Sequence, residues 1–226
     1  MKSTIIYVII LLLGVLYAGS APSRCPGEYD IVEYADDFED YDLGERPPGW
    51  GVNRSPSDAE ILVVDVDDID GDGQALVFVN GTSTPEDPGR LGIQHFFQGD
   101  DEMFEGYPIA RVKIYLDGDN QDFYIRFGPA DALILGSKLY ADIPGEDLIP
   151  CEDLAINEWQ EISIRLNFKN QAFGIGLDGH YSCSTLPVYG SFDEVSSFIV
   201  ENQKIEEDLD DFYIDDVDIT NDHTRH

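Results

Sequence analysis

The sequence predicts an all-β protein, an antiparallel sandwich of two sheets, and three observations carry that prediction. Short runs rich in Val, Ile, Phe and Tyr alternate with polar residues between clusters of Gly, Pro, Asn and Asp. Helix-period patterning is nearly absent, and nothing supplies the crossover helices that a parallel sheet requires. The 226 residues, 42% hydrophobic and 12% aromatic, suffice for one generous β domain with a full core.

The opening MKSTIIYVIILLLGVLYAGSA stands apart from that domain. Lys2 precedes an apolar run from Ile5 to Tyr17 and then small residues Ala18 to Ala21, the pattern of a secretory signal cleaved between Ser20 and Ala21. The run is shorter than the roughly 20 residues that span a bilayer. Residues 1–20 are therefore expected to be removed, leaving 21–226 as one secreted domain with its core at about 30–220 and no transmembrane segment.

Strands are expected in order at Ile31–Tyr34, Ile61–Val66, Gln74–Asn80, Leu91–Gln98, Pro108–Leu116, Phe123–Phe127 and Ala132–Leu135, each a β-branched or aromatic run closed by turn residues. The segment Gly136–Asn157 reads as a long excursion between strands. In EWQEISIRLNFKNQAFGIGLDG, Ile162, Ile164 and Leu166 alternate with polar residues up to a turn near Lys169-Asn170, and Phe173, Ile175 and Leu177 alternate on the return. That hairpin gives strands Gln160–Asn167 and Ala172–Leu177, followed by Val195–Val200 and Asp211–Ile219. Folding about its turn brings Cys151 near Cys183, so a Cys151–Cys183 disulfide across the open end leaves Cys25 as the spare thiol; two separate buried thiols are the alternative.

With 13 Lys+Arg against 46 Asp+Glu the formal charge is −33, which excludes nucleic acid and anionic membrane surfaces as partners. Such acidity has three physical readings: solubility in high salt, binding of divalent cations, or a basic partner. Asp68-Ile69-Asp70-Gly71-Asp72-Gly73 places carboxylates at alternate positions before a glycine, and Gln74 would add a carbonyl, as a calcium loop requires. Asp65 or Asp67 would complete the shell; an acidic hairpin turn is the alternative. No His spacing suits a metal, and no nucleotide-binding fingerprint or serine-nucleophile elbow is present.

The acidic opening ADDFEDYDLGERPPGW and closing DDFYIDDVDI are expected to meet as neighbouring strands. Alternation would put Asp215 with Tyr213 and Val217 on one face and Asp216 with Ile214 and Asp218 on the other, so closure buries an Asp. A buried carboxylate needs a partner, and a calcium shared among Asp36, Asp37, Glu39, Asp215 and Asp216 would supply one. Backbone hydrogen bonds at a strand end are the alternative. Glu28-Tyr29-Asp30-Ile31-Val32-Glu33 resembles the E-x-D-x-x-E signature of laminarinase-type glycoside hydrolases, and that resemblance implies Glu28, Asp30 and Glu33 as the catalytic set of a retaining hydrolase. In those enzymes the motif lies in mid-chain, whereas here it precedes the stretch ADDFEDYDLGERPPGW. Asn80-Gly81-Thr82 is an N-glycosylation sequon.

The stretches DDFEDYDLGERPPGW, NEWQEISIRL, GIGLDG and FYIDDVDI together resemble the concanavalin A-like lectin/glucanase superfamily in its laminin-G-like extracellular branch. Jelly-roll carbohydrate-binding modules share a similar start and end, and some of them hold calcium. The resemblance implies a secreted, calcium-supported jelly-roll sandwich that binds an extracellular glycan or cell-surface polymer without catalysis. It leaves a laminarinase-like hydrolase, or a self-assembling component of a matrix, coat or filament, as alternatives. Rings that stack on sugars are sought in loops, at Tyr107, Tyr140, Tyr181 and Tyr189, whereas Trp50 and Trp159 match positions that pack in the family's core.

Overall fold

The computed structural model describes residues 34–55, 58–69, 73–79, 81, 89–97, 107–188, 195–202 and 209–221, without the side chains of residues 54, 55 and 68. All of them belong to the compact unit Val32–His226. Strand β1 is Tyr34–Asp36, β2 Gly51–Ser55 and β3 Glu60–Asp65; a 3-10 turn at Asp67–Ile69 leads to β4, Gln74–Val79. Then come β5 (Arg90–Phe96), β6 (Pro108–Leu116), β7 (Asp122–Phe127), β8 (Ala130–Leu135), β9 (Lys138–Asp142) and β10 (Ile149–Asp153). The hairpin β11 (Trp159–Asn167) and β12 (Ala172–Leu177) continues into β13 (His180–Pro187), and β14 (Ser197–Asn202) and β15 (Phe212–Asn221) finish the fold. No helix among the described residues is long and apolar enough to cross a membrane.

The strands form two antiparallel sheets. The larger runs β13-β12-β11-β6-β15-β4-β3, with β1 also joined to β15; the smaller runs β10-β9-β8-β7-β14-β5-β2. Their facing sides meet in one core, as alternation demands. On β7 the residues Phe123, Ile125 and Phe127 are fully buried, whereas Tyr124 and Arg126 turn outward. Phe123 of the smaller sheet stacks on Phe212 of the larger at 4.2 Å between ring centroids, with Phe78 edge-on to both at 5.5 and 5.7 Å. Each such ring contributes about 1.5–3 kcal/mol by burial.

Two expectations are corrected. Gly136–Asn157 is not an excursion: it carries β9 and β10, which extend the smaller sheet outward from β8. Only Leu139 and Ala141 of β9 reach the core, so the strand has too few apolar residues to announce itself. Edge strands β2 and β13 were unforeseen for the same reason. The expected Cys151–Cys183 disulfide is present, with Cα atoms 5.2 Å apart, and it joins β10 to β13, the outer strands of opposite sheets.

The second correction concerns the last strand. Its register to β6 slips between Asp215 and Asp218, and Asp216 takes a left-handed backbone with φ of 44°. This bulge adds one residue, so Ile214, Val217 and Ile219 all face the core and the strict alternation expected from the sequence fails. Asp215, at the slip, is buried as closure predicts, while Asp216 is exposed and Asp218 half-buried. The opening and closing segments do pair, Tyr34 opposite Ile219 and Asp36 opposite Val217.

Candidate functional site

Two regions collect polar side chains. In the larger sheet, β4 pairs with Phe212–Ile214 of β15 and β1 pairs with Val217–Ile219 on the same edge, which leaves a split opposite the bulge. The turn after β1 fills that split. Asp36 organises it: its Oδ2 accepts from Tyr34 at 3.0 Å, Tyr41 at 2.8 Å and the Trp50 indole N–H at 2.9 Å, while Oδ1 accepts from the Phe38 amide at 3.1 Å. Burial and the Asp36 charge push the Tyr41 hydroxyl up to about 12 and raise Tyr34 as well.

Glu39 reaches from this turn to the far side of the acidic loop, where its Oε1 accepts from the Gln74 amide at 2.7 Å. Gly73 has φ of 86°, and a Cβ there would stand 1.8 Å from Glu39 Oε1, so only glycine admits the contact. The Gln74 side-chain amide lies 3.0 Å from the Tyr41 carbonyl oxygen and 3.2 Å from that of Phe38; with its nitrogen turned toward them it donates to both. Asp215 is 8% exposed, accepts from the Asp216 amide at 2.7 Å, and is pushed up to about 7 by burial, with Asp216 and Glu39 adding to the shift against Lys113 and that amide bond. The acidic opening, the loop exit and the closing strand thus meet at one place, which we call the clasp.

Beside the clasp, on the outer face of the larger sheet, a cavity of about 320 Å³ is lined by Asp37, Arg111, Lys113, Glu161 and Asp218, among others. Its two cations are already engaged: Lys113 pairs with Asp216, and Arg111 donates to Asp218 at 2.7 Å. Asp37 accepts from the Glu39 amide at 3.3 Å. Among the described residues no three His, Cys, Asp or Glu side chains gather to hold a metal. Asp70 and Asp72 lie outside the described residues, as does the side chain of Asp68. Asp65 accepts from the Asp67 amide at 3.0 Å and caps the 3-10 turn.

The second region is the outer face of the smaller sheet, where register assembles two parallel rows. One runs Tyr140, Leu133, Tyr124, Glu201, Gly92, Asn53; the other runs Asp142, Asp131, Arg126, Ile199, Gln94, Gly51. Six strands at the usual spacing make each row about 24 Å long. Arg126 holds Asp131 through two hydrogen bonds of 2.5 and 3.1 Å, with Glu201 3.9 Å from its guanidinium. Burial, then the charge of Asp142 and a hydrogen bond to it, push the Tyr124 hydroxyl up to about 12. Glu201 can lie across β5 only because Gly92 is bare, since a Cβ there would meet Glu201 Cβ at 2.5 Å. Half-exposed rings beside carboxylates and amides suit a ligand with flat apolar faces and many hydroxyls.

Solved structures share this architecture. A chain titled "Sialidase" aligns with a TM-score of 0.64 and 8% identity over 84% of this protein, which spans only 18% of that chain. Domain 4 of AbnA, an extracellular arabinanase from Geobacillus stearothermophilus solved in complex with arabinotriose, aligns at 0.51 with 13% identity, covering 83% of this chain and 90% of that one. A carbohydrate esterase from the Shiga toxin-encoding bacteriophage phi24B aligns at 0.53 with 12% identity over 77% and 91%. At such identities the likeness is one of fold, a two-sheet jelly-roll-type β-sandwich. No protein-family profile matches this chain, and no curated protein sequence matches it.

The tyrosines sought in loops fall differently. Tyr140 stands on β9 within the first row, and Tyr181 stands on β13, where its ring covers the bare strand at Gly174 and Gly176 and Arg165 lies 4.4 Å from its centroid. Tyr107 directly precedes β6; Tyr189, Asn80, Glu28, Asp30 and Glu33 lie outside the described residues, together with the 1–20 segment. Trp50 is buried in the core, but Trp159 is half-buried on the outer face against Tyr115, at 5.5 Å between centroids. Tyr124, Arg126, Glu201, Gln94 and Asn53 were missed. For Tyr124 and Arg126 the signal was present, because alternation along DFYIRF turns both away from the core.

Proposed function

We propose that this protein is a secreted, non-catalytic carbohydrate-binding β-sandwich that holds its glycan on the outer face of the smaller sheet and is braced by calcium at the clasp. The observation that carries the reading is the pair of rows, in which Tyr124 and Tyr140 stand among Arg126, Asp131, Glu201, Gln94 and Asn53 on an open sheet face. The fold it shares with the arabinotriose-bound AbnA domain supports it. Placement in the concanavalin A-like branch rests on the sequence landmarks alone.

At the clasp two carboxylates would hold the ion. Glu39 and Asp215 are hard oxygen donors, and the Gln74 side chain faces two carbonyl oxygens. Calcium would add positive charge to that of Lys113 beside Asp215 and Glu39.

Retention in native gels cast with soluble polysaccharides tests the reading. Wild-type protein should be slowed by at least one polysaccharide, and Tyr124→Ala should migrate freely while keeping its melting temperature. A Tyr124→Ala protein as strongly retained as wild type would overturn the assignment of the face.

A further inference from the structure

The charge balance of the same face points to the class of glycan. We propose that the two rows take an extended, uncharged oligosaccharide laid across the strands and turn away acidic ones such as uronates, sialylated chains and sulfated chains; this rests on the reading of the face given above. Asp131, Asp142 and Glu201 stand in the rows against one guanidinium, that of Arg126. Arg126 is already neutralised from within the face, because Asp131 takes the Nε–Nη2 edge of its guanidinium in two hydrogen bonds and Glu201 lies 3.9 Å from Nη1. Lys138, on the same strand as Tyr140, is drawn to Asp153 at 3.5 Å. An anionic sugar would meet carboxylates at close range inside the field of a chain with a net charge of −33.

An uncharged sugar meets the opposite situation. Carboxylates that accept hydrogen bonds without needing a cation pair well with hydroxyl donors, and Asn53 and Gln94 add amides at the other end of the rows. Leu133 and Ile199 give an apolar floor between them. The rows, about 24 Å long, exceed a single sugar, so affinity should grow with chain length from mono- to pentasaccharide.

Affinity gels cast with arabinan, xylan, mixed-linkage β-glucan or galactomannan, and in parallel with polygalacturonate, alginate or chondroitin sulfate, decide the matter. Retention by one or more of the neutral polymers and by none of the acidic ones is the expected result, with a loss of roughly tenfold in affinity for Tyr124→Ala. Retention by an acidic polymer that Tyr124→Ala abolishes would overturn the charge selectivity while leaving the carbohydrate reading intact. Retention by none of the panel would overturn both. Arg126→Lys separates the explanations further: if Arg126 serves as a clamp for anions the substitution weakens acidic binding, whereas the proposal predicts acidic binding absent before and after.

Discussion

The clasp and the outer face of the smaller sheet are both rich in carboxylates, yet they are built in opposite ways. At the clasp the side chains are spent on the protein itself: Asp36 accepts four hydrogen bonds, Glu39 holds a backbone amide, and Asp215 is buried. On the face the side chains stand in register, most of them half-exposed with Glu201 and Leu133 buried deeper, and bind one another only sideways. The difference separates what holds the fold from what is left over for a ligand. It also separates two kinds of mutant.

The largest effect should come from the clasp. Asp36→Ala leaves the donors of Tyr34, Tyr41 and Trp50 without their acceptor and should lower unfolding free energy by about 3 kcal/mol, read from urea denaturation, while a glycan retained by wild type is retained still. A variant of unchanged stability would mean that Asp36 does not organise the turn. Next is calcium. At a hundredfold excess over its dissociation constant the ion should stabilise the fold by about 2.7 kcal/mol, and chelator should reverse the rise in melting temperature. Asp215→Asn should abolish the calcium response; a full response in that variant would remove Asp215 from the clasp.

The face should behave in the contrary sense. Tyr124→Ala is expected to weaken glycan binding by about 1.4 kcal/mol with stability within about 0.5 kcal/mol of wild type. A large loss of stability there would erase the distinction between the two regions. The smallest effect concerns pH. His95 stacks on Tyr34 at 3.8 Å between ring centroids, and burial lowers its pKa from 6.5 against a smaller opposing pull from Asp36. A group depressed in the folded state contributes stability above its unfolded pKa and loses it as pH falls, so His95 adds a decline in melting temperature below about pH 6.5, set against the gain that the raised Asp215 carboxyl brings as it protonates in the same range. His95→Phe should flatten that decline.

The sequence made the sandwich legible because most strands bury one apolar side with period two. It hid β2, β9, β10 and β13, which lie at or near sheet edges and bury too few residues to show a pattern. It also misled at β15, where one extra residue at Asp216 reversed the faces of everything after it. The meeting of the opening and closing segments could be read from their matching acidity. Their union with Gln74 could not, since Glu39 reaches it across 35 residues through a turn that only the packed sheet positions. Tyr124 and Arg126 stand on a strand instead of in a loop, and the alternation along DFYIRF that turns both outward is legible in the sequence.

The central claim is that ligand binds the smaller sheet and the clasp only braces the fold. Titration of isotopically labelled protein with the neutral polysaccharide fragment that retains it, followed by amide chemical shifts with calcium held saturating, tests this most directly. The perturbed amides should cluster on β2, β5, β14, β7, β8 and β9. Perturbations clustered instead on β1, β6 and β15, around Asp37, Lys113 and Asp216, would contradict it.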